Sequence, residues 1–258
     1  MVVEIGRLTQ EDVARRLDYA VLDRTAPEAR VLEGCVNTQR YRFAAYHVLP
    51  SRLSVVVREL GTFARQHHIE LGAPVAFPYG STPTKVKLAE TEDLIARGAT
   101  ALDMVANIGW LKDRRFELYE SECREHIRLC HAAGVNGKII IEAGHLSDEE
   151  LVAATRMVAG AGADFVKTAT GTDPGGYPGF HQVRLILETL REANGNTGLK
   201  VSGLGAPRVV TAYAFIRMGA DRVGTGAAPE IVEALSDVQR GLFPTIDPGS
   251  EHRPVGAA

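Results

Sequence analysis

The sequence has few cysteines, few aromatic residues and no long apolar run. Its 258 residues include three cysteines and one tryptophan, and aromatic residues make up 6% of the chain. The cysteines (Cys35, Cys123 and Cys130) are odd in number and form no CxxC pair, which argues against a disulfide framework or a cysteine zinc site. Cys123 and Cys130 are seven residues apart in a helical pattern, so we expect them on one helix face. We therefore predict a reducing, cytoplasmic location.

An excess of one charge sign is also absent. The chain carries 29 lysines and arginines against 32 acidic residues, giving a formal net charge of −3, and the two signs are mixed along it. Nucleic-acid and membrane-surface binding proteins usually concentrate basic residues, so we expect neither partner, although a local basic pocket could hold a phosphate. The charged N-terminus has no apolar signal core, and no apolar run could span a bilayer. The expected partner is a small molecule.

What the sequence does contain is short apolar runs that alternate with segments of helical periodicity. The runs predict strands at 17–22, 43–48, 73–77, 100–107, 138–143, 163–169, 198–203 and 221–226. Glycines end the helical segments between them, as they often do. Strands that alternate with helices predict a parallel sheet, and eight such units in roughly 250 residues predict a (β/α)8 TIM barrel in the α/β class.

The alternative fold is an open, doubly wound sheet. That fold would place a glycine-rich phosphate loop after the first strand, and the sequence there, "LDYAVLDRTAP", has none. Because no linker interrupts the alternation, we predict one domain over residues 1–243. A loose tail is expected at 244–258.

Ionisable residues interrupt three of the predicted strands. Asp103 lies in "ATALDMVANIG", Lys167 in "GADFVKTATG" and Lys200 in "GLKVSGLG". One such lysine could extend from a strand end to solvent, but three interruptions in strands 4, 6 and 7 predict a shared site at the barrel mouth. A lysine attacks a carbonyl only as the neutral amine, and both burial and a neighbouring cation lower its pKa. We therefore predict Lys167 as a nucleophile tuned by Lys200, with Asp103 transferring protons.

Six segments, taken in order, resemble the deoxyribose-phosphate aldolase family. They are "FPYGSTPTKVKLAET", "GATALDMVANIGWLK", "GKIIIEAGHLSDEE", "GADFVKTATG", "GLKVSG" and "GADRVGTG", and the match runs roughly from Leu17 to Leu235. These are class I aldolases that form a lysine Schiff base on a TIM barrel without a metal or other cofactor. The resemblance implies that Lys167 forms the Schiff base, Lys200 tunes it and Asp103 is the acid–base partner. It also implies a supporting proton network, Lys138 and Asp18, and a homodimer.

The resemblance is weaker where the family recognises its substrate. The family's Cys-Val-Asn-Pro is replaced by His47–Pro50, and its Gly-Thr-Ser-Ser, whose serines hold phosphate, is replaced by Gly224–Ala227. Backbone N–H groups of glycine loops could still bind a phosphate. The expected substrate contacts are Thr168, Thr170, Gly171, Gly203, Gly205, Gly226 and His47.

The expected reaction is the cleavage or formation of 2-deoxyribose 5-phosphate through an imine and an enamine, with acetaldehyde and glyceraldehyde 3-phosphate as the other reactants. An alternative is the same chemistry on a different acceptor, with or without a phosphate. Two further alternatives are a phosphosugar isomerase or epimerase and a non-catalytic barrel, because one barrel fold hosts many functions. Neither of these explains a pair of lysines in adjacent strands.

Overall fold

The computed structural model describes residues 3–193 and 195–242. Eight parallel strands pair in chain order, and the eighth pairs with the first, so the sheet closes on itself. The strands are β1 (Leu17–Val21), β2 (Ala45–Val48), β3 (Glu70–Val75), β4 (Ala101–Val105), β5 (Asn136–Ile140), β6 (Phe165–Lys167), β7 (Gly198–Val201) and β8 (Arg222–Thr225). The predicted (β/α)8 TIM barrel is confirmed.

Helices follow the strands and surround the barrel. They are α1 (Gln10–Ala14), α2 (Glu28–Tyr41), α3 (Leu53–His67), α4 (Thr84–Ala96), α5 (Ile108–Lys112), α6 (Phe116–Ala132), α7 (Asp148–Gly160), α8 (Phe180–Glu192), α9 (Arg208–Met218), α10 (Ala228–Glu233) and α11 (Leu235–Gln239). Short 3-10 turns lie at Ile5–Arg7, Pro50–Arg52, Ala143–His145 and Pro174–Gly176. Left-handed glycines follow four of the helices predicted to end at glycine: Gly98, Gly134, Gly162 and Gly219.

Local sequence fixes where α7 begins after the loop that follows β5. The Ser147 hydroxyl accepts a hydrogen bond from the Glu150 N–H at 3.3 Å, and the Glu150 carboxylate accepts one from the Ser147 N–H at 2.9 Å. This reciprocal capping box satisfies two N–H groups that a helix start leaves without partners. The start of α7 is therefore determined by its own first turn.

The barrel separates an apolar layer from a polar interior. Successive side chains of a strand point to opposite faces, so in β6 the buried Val166 faces the helices while Phe165 and Lys167 face the interior. The helices cover the apolar layer. Cys123 and Cys130 lie on the buried face of α6, which is the shared helix face that their spacing predicted. This alternation allows charged side chains to occupy the inside of the barrel.

The strand bounds differ from the sequence prediction most in β5, which covers Asn136–Ile140 rather than 138–143, and in β3. This strand begins at Glu70, which pairs with Ala45 of β2, rather than at residue 73. A glutamate and Gly72 in a strand are unfavourable by propensity, so the pattern placed the boundary after them. The predicted tail at 244–258 lies outside the described residues. None of the helices within 3–193 and 195–242 has the length and apolar character needed to cross a membrane.

Candidate active site

Asp103 lies in the middle of β4 and is in contact with both predicted lysines. Its Oδ2 accepts hydrogen bonds from the Lys167 ammonium at 2.9 Å and from the Lys200 ammonium at 2.7 Å. The two lysines are opposite each other in the β6–β7 register. Asp103 is fully buried, Lys200 is 1% exposed and Lys167, the last residue of β6, is 4% exposed. The structure brings the predicted trio together.

Lys138 and Asp18 join the same cluster from β5 and β1. The Lys138 Nζ lies 3.8 Å from Asp103 Oδ1, and Asp18 Oδ2 lies 2.7 Å from the Lys200 Nζ. Their other partners are Glu70 for Lys138, at 2.8 Å, and Arg222 for Asp18, at 2.8 Å. Both expected supporting residues therefore reach the trio: Lys138 contacts Asp103, and Asp18 contacts Lys200.

His47 contacts Asp103 from β2. Its Nε2 lies 3.2 Å from Asp103 Oδ1, and the ring is 2% exposed. Burial lowers the pKa of His47, although Asp103 opposes this, so a neutral ring donating through Nε2–H fits the contact. Its Nδ1 has no hydrogen-bond partner among the described residues. Gly72 makes room for this ring, because a Cβ at that position would lie 2.5 Å from Nε2.

The electrostatics of the trio favour an ionised carboxylate beside an amine that loses its proton readily. Burial lowers the pKa of Lys167, Lys200 lowers it further, and Asp103 opposes both effects. Burial opposes ionisation of Asp103, but His47 and the neighbouring lysines hold the pKa of Asp103 well below its usual value. A desolvated lysine next to a second cation is one of the arrangements that make an amine nucleophilic.

Three of the predicted substrate glycines converge at the mouth beside a residue that the sequence did not single out. Gly171, Gly203 and Gly205 have φ values of 81°, 76° and 61°. Their backbone N–H groups donate to no acceptor within the described part of the chain. The Tyr177 hydroxyl donates to the Gly171 carbonyl at 3.1 Å, and a Cβ at Gly203 would lie 2.7 Å from the Tyr177 ring. The ring therefore packs over these glycines. The fourth glycine, Gly226, follows β8 beside Ala20, outside this contact.

The two predicted threonines make protein contacts at the ends of the strands. The Thr168 hydroxyl donates to the Ser202 carbonyl and accepts from the Ser202 N–H, both at 2.9 Å, which ties the end of β6 to that of β7. The Thr170 N–H donates to the Glu142 carboxylate, and its hydroxyl lies 3.0 Å from that of Thr172. Thr168 is fully buried, so its hydroxyl serves this strand connection.

Comparisons with known proteins show which family the chain resembles. No family model matches the chain. A deoxyribose-phosphate aldolase of Bacteroides thetaiotaomicron is 32% identical over 238 residues, covering 92% of this chain and 96% of that protein. One of Thermococcus kodakarensis is 34% identical over 230 residues, covering 89% of this chain and all of that protein. The chain belongs to the deoxyribose-phosphate aldolase family.

A solved structure supports the same assignment. The deoxyribose phosphate aldolase of Aeropyrum pernix superposes with a TM-score of 0.76 at 28% identity, covering 91% of this chain and 96% of that one. That protein is described as a tetramer, and the homodimer expected for this chain stays a prediction. The family resemblance inferred from the six sequence segments is confirmed.

Proposed function

We propose that this chain is a class I aldolase that cleaves 2-deoxyribose 5-phosphate into acetaldehyde and glyceraldehyde 3-phosphate and catalyses the reverse addition. The observation that carries the proposal is the buried Lys167 at the end of β6, which shares one oxygen of Asp103 with Lys200. The names of the relatives supply the substrate. The phosphosugar isomerase alternative leaves the paired lysines without a role.

The reaction begins at the amine of Lys167. The neutral Nζ attacks the C1 carbonyl carbon of the open-chain sugar, and the carbonyl oxygen takes a proton to give a carbinolamine. Loss of water gives an iminium ion. A base then removes the proton of the C3 hydroxyl, and the C2–C3 bond breaks with its electron pair moving toward the iminium. Glyceraldehyde 3-phosphate leaves, and the enamine on Lys167 is protonated at C2 and hydrolysed to acetaldehyde.

Asp103 and Lys200 have distinct proposed roles in these steps. The Asp103 carboxylate holds the proton-bearing Nζ before attack, and it is placed to pass protons between the lysine and the reacting oxygens, directly or through water. Lys200 contacts the same oxygen and disfavours protonation of Lys167. Lys138 lies beside the second carboxylate oxygen of Asp103, and Asp18 pairs with the Lys200 Nζ.

The sugar phosphate is proposed to bind at the glycine loops beneath Tyr177. The N–H groups of Gly171, Gly203 and Gly205 supply donors there, because Gly226 and Ala227 carry no hydroxyl. A second candidate is the same aldol chemistry on an unphosphorylated acceptor. The Tyr177 ring favours it, because an aromatic side chain in contact with Gly203 narrows the space beside these donors.

Borohydride trapping tests the reaction. The protein is incubated with acetaldehyde or 2-deoxyribose 5-phosphate, reduced with borohydride and mapped by peptide mass spectrometry. We expect an ethyl group on Lys167 after acetaldehyde and no such adduct in Lys167→Met. A coupled assay with alcohol dehydrogenase measures released acetaldehyde. Absence of both the adduct and released acetaldehyde in the folded wild-type protein would contradict the proposal, and formation of a rearranged sugar phosphate would favour the isomerase.

The two acceptors are separated by comparing kcat/KM for 2-deoxyribose 5-phosphate and 2-deoxyribose in the wild type, Tyr177→Phe and Tyr177→Ala. If phosphate binds at the glycine loops, the phosphorylated sugar is preferred in the wild type and preferred more strongly in Tyr177→Ala. Tyr177→Phe is the control that keeps the ring and removes the hydroxyl. A wild-type preference for the unphosphorylated sugar would select the second candidate.

A further inference from the structure

Besides the proposed catalytic trio, the barrel interior contains four charged residues that join Asp103 and Lys200 in a closed ring. Asp103 contacts Lys200 at 2.7 Å, and Lys200 contacts Asp18 at 2.7 Å. Arg222 then links Asp18, at 2.8 Å, to Glu70, at 3.3 Å. Lys138 completes the circuit, at 2.8 Å from Glu70 and 3.8 Å from Asp103. Carboxylates and cations alternate all the way around this ring.

The ring is electrically balanced without Lys167. It holds three carboxylates and three cations, and Lys167 contacts it only through Asp103. A protonated Lys167 would therefore give these seven residues together one net positive charge in a buried setting, which is costly. Loss of a proton from Lys167 restores neutrality. Among the described residues, the charge count thus identifies Lys167 as the member of the cluster that can be neutral at the lowest cost.

Two members of the ring lie far from the mouth. Arg222 and Glu70 are the first residues of β8 and β3, at the opposite end of the barrel from Lys167, which ends β6. Their side chains are 19% and 20% exposed. The Phe165 ring packs against Arg222, with its centroid 5.6 Å from both the Arg222 guanidinium and the Lys138 ammonium. Neither residue is placed to touch a substrate at the mouth.

We propose that Arg222 and Glu70 are positioning residues of the reaction that set the charge of the ring and thereby the ionisation of Lys167. Arg222 supplies the third cation, so its loss would leave the ring with one negative charge that a protonated Lys167 would compensate. Glu70 supplies the third carboxylate, so its loss would leave one positive charge that repels a protonated Lys167. The catalytic consequence rests on the function proposed above, whereas the effect on ionisation does not.

The charged and titratable groups of the ring and its surroundings come from every strand of the barrel other than β6. They are Asp18 (β1), His47 (β2), Glu70 (β3), Asp103 (β4), Lys138 (β5), Glu142 after β5, Lys200 (β7) and Arg222 (β8). Burial lowers the pKa of His47 and so favours its neutral imidazole. Glu142 forms no ion pair with a lysine or arginine in the described part of the chain, and its carboxylate accepts the Thr170 N–H. Since His47 and Glu142 are unchanged in the variants below, they do not change the direction in which each variant shifts the pKa of Lys167.

The test measures the ionisation of Lys167 directly. Arg222→Met and Glu70→Gln are treated with acetic anhydride over a range of pH, and acetylation of Lys167 is followed by peptide mass spectrometry. Only the neutral amine reacts, so the midpoint of the rate against pH reports the pKa of Lys167. We expect the midpoint to rise in Arg222→Met and fall in Glu70→Gln. At a pH below both midpoints, a shift of one unit changes the rate by about tenfold.

Two further variants separate charge from folding. Arg222→Lys keeps the charge and should retain the wild-type midpoint. The double variant Arg222→Met with Glu70→Gln restores a neutral ring, so its midpoint should return to the wild-type value. Shifts of the two single variants in the same direction, or no shift in either, would overturn the proposal. If a single variant fails to fold, the double variant is measured in its place. A midpoint that differs from the wild-type value in the double variant would also overturn the proposal. A wild type without aldolase turnover but with the expected midpoints would contradict the proposed function alone.

Discussion

Four lysines are buried in the described part of the chain (Lys87, Lys138, Lys167 and Lys200), and a comparison of Lys87 with Lys167 shows what makes a buried amine reactive. Lys87 of α4 is fully buried, and its Nζ donates to Glu122 at 2.7 Å and to the Val105 carbonyl at 2.8 Å. Lys167 is almost as buried, but it shares its carboxylate with Lys200. Burial is the largest influence on both pKa values and lowers each of them. Burial alone therefore does not distinguish a structural lysine from a nucleophile.

The difference lies in the number of cations per carboxylate. Glu122 serves one lysine and also accepts from the Thr84 hydroxyl at 2.9 Å and the Asn107 N–H at 3.2 Å, so the Lys87 pair is balanced and its hydrogen bonds are satisfied. Asp103 serves Lys167 in addition to a ring that is already neutral. Lys167 also lies at the end of its strand, where a carbonyl compound can enter.

The largest expected effect comes from Lys167→Met. Without the nucleophile, turnover should fall by at least about a thousandfold. Because the remaining ring is neutral, the free energy of unfolding should stay unchanged or increase. Steady-state kinetics and urea unfolding check the two parts. A loss of stability without a loss of turnover would show that Lys167 is the structural lysine, which would break the comparison.

Lys87→Met should show the opposite behaviour. It leaves the Glu122 carboxylate buried without its cation, so the free energy of unfolding should fall by about 3–5 kcal/mol. Turnover measured where the variant is folded should stay within a few-fold of the wild type. The double variant Lys87→Met with Glu122→Gln should recover most of the lost stability. A thousandfold loss of turnover in a folded Lys87→Met would contradict the structural assignment.

His126 gives the Lys87 region a pH dependence of its own. It is fully buried beside Thr91, at 2.9 Å, and burial lowers the pKa of His126 to about 4. Between pH 6.5 and 4 the unfolded chain binds a proton at this residue and the folded chain does not. The free energy of unfolding therefore falls by about 3 kcal/mol as the pH drops through this window. Urea unfolding at several pH values should show a shallower decline in His126→Gln, and an unchanged slope would contradict this.

Whether a residue of the site can be predicted from the sequence depends on where it stands relative to the apolar runs. Lys167, Lys200 and Asp103 stand inside apolar runs, so alternation alone predicts that they face the interior. Glu70 and Arg222 open their strands, where a charged residue is indistinguishable from the end of a loop, and the ring forms only when β8 pairs with β1. The periodicity of the sequence does not show that β8 pairs with β1.

Other parts of the site were not predictable for different reasons. Lys87 lies on a charged helix, where the pattern indicates solvent exposure, and only the packing of α4 against α6 buries it. Tyr177 lies in a glycine- and proline-rich loop that has no periodicity from which its direction can be inferred. Glu142 likewise follows a strand, and its left-handed φ of 51° is a property of the folded loop.

The smallest expected effect tests how finely the Asp103 side is balanced. His47→Leu removes a hydrogen-bond donor from Asp103 Oδ1, so the carboxylate holds the protonated Lys167 more strongly and the pKa of Lys167 should rise. At pH 6.5 the rate of borohydride-trapped imine formation should fall roughly three- to tenfold. His47→Gln can retain an N–H donor and should lose less. Thr84→Ala is the matched control, because it removes a donor from Glu122 in the same way. If the two regions differ as proposed, Thr84→Ala leaves the rate of imine formation unchanged. An equal fall in Thr84→Ala and His47→Leu would mean that general destabilisation accounts for the His47 effect.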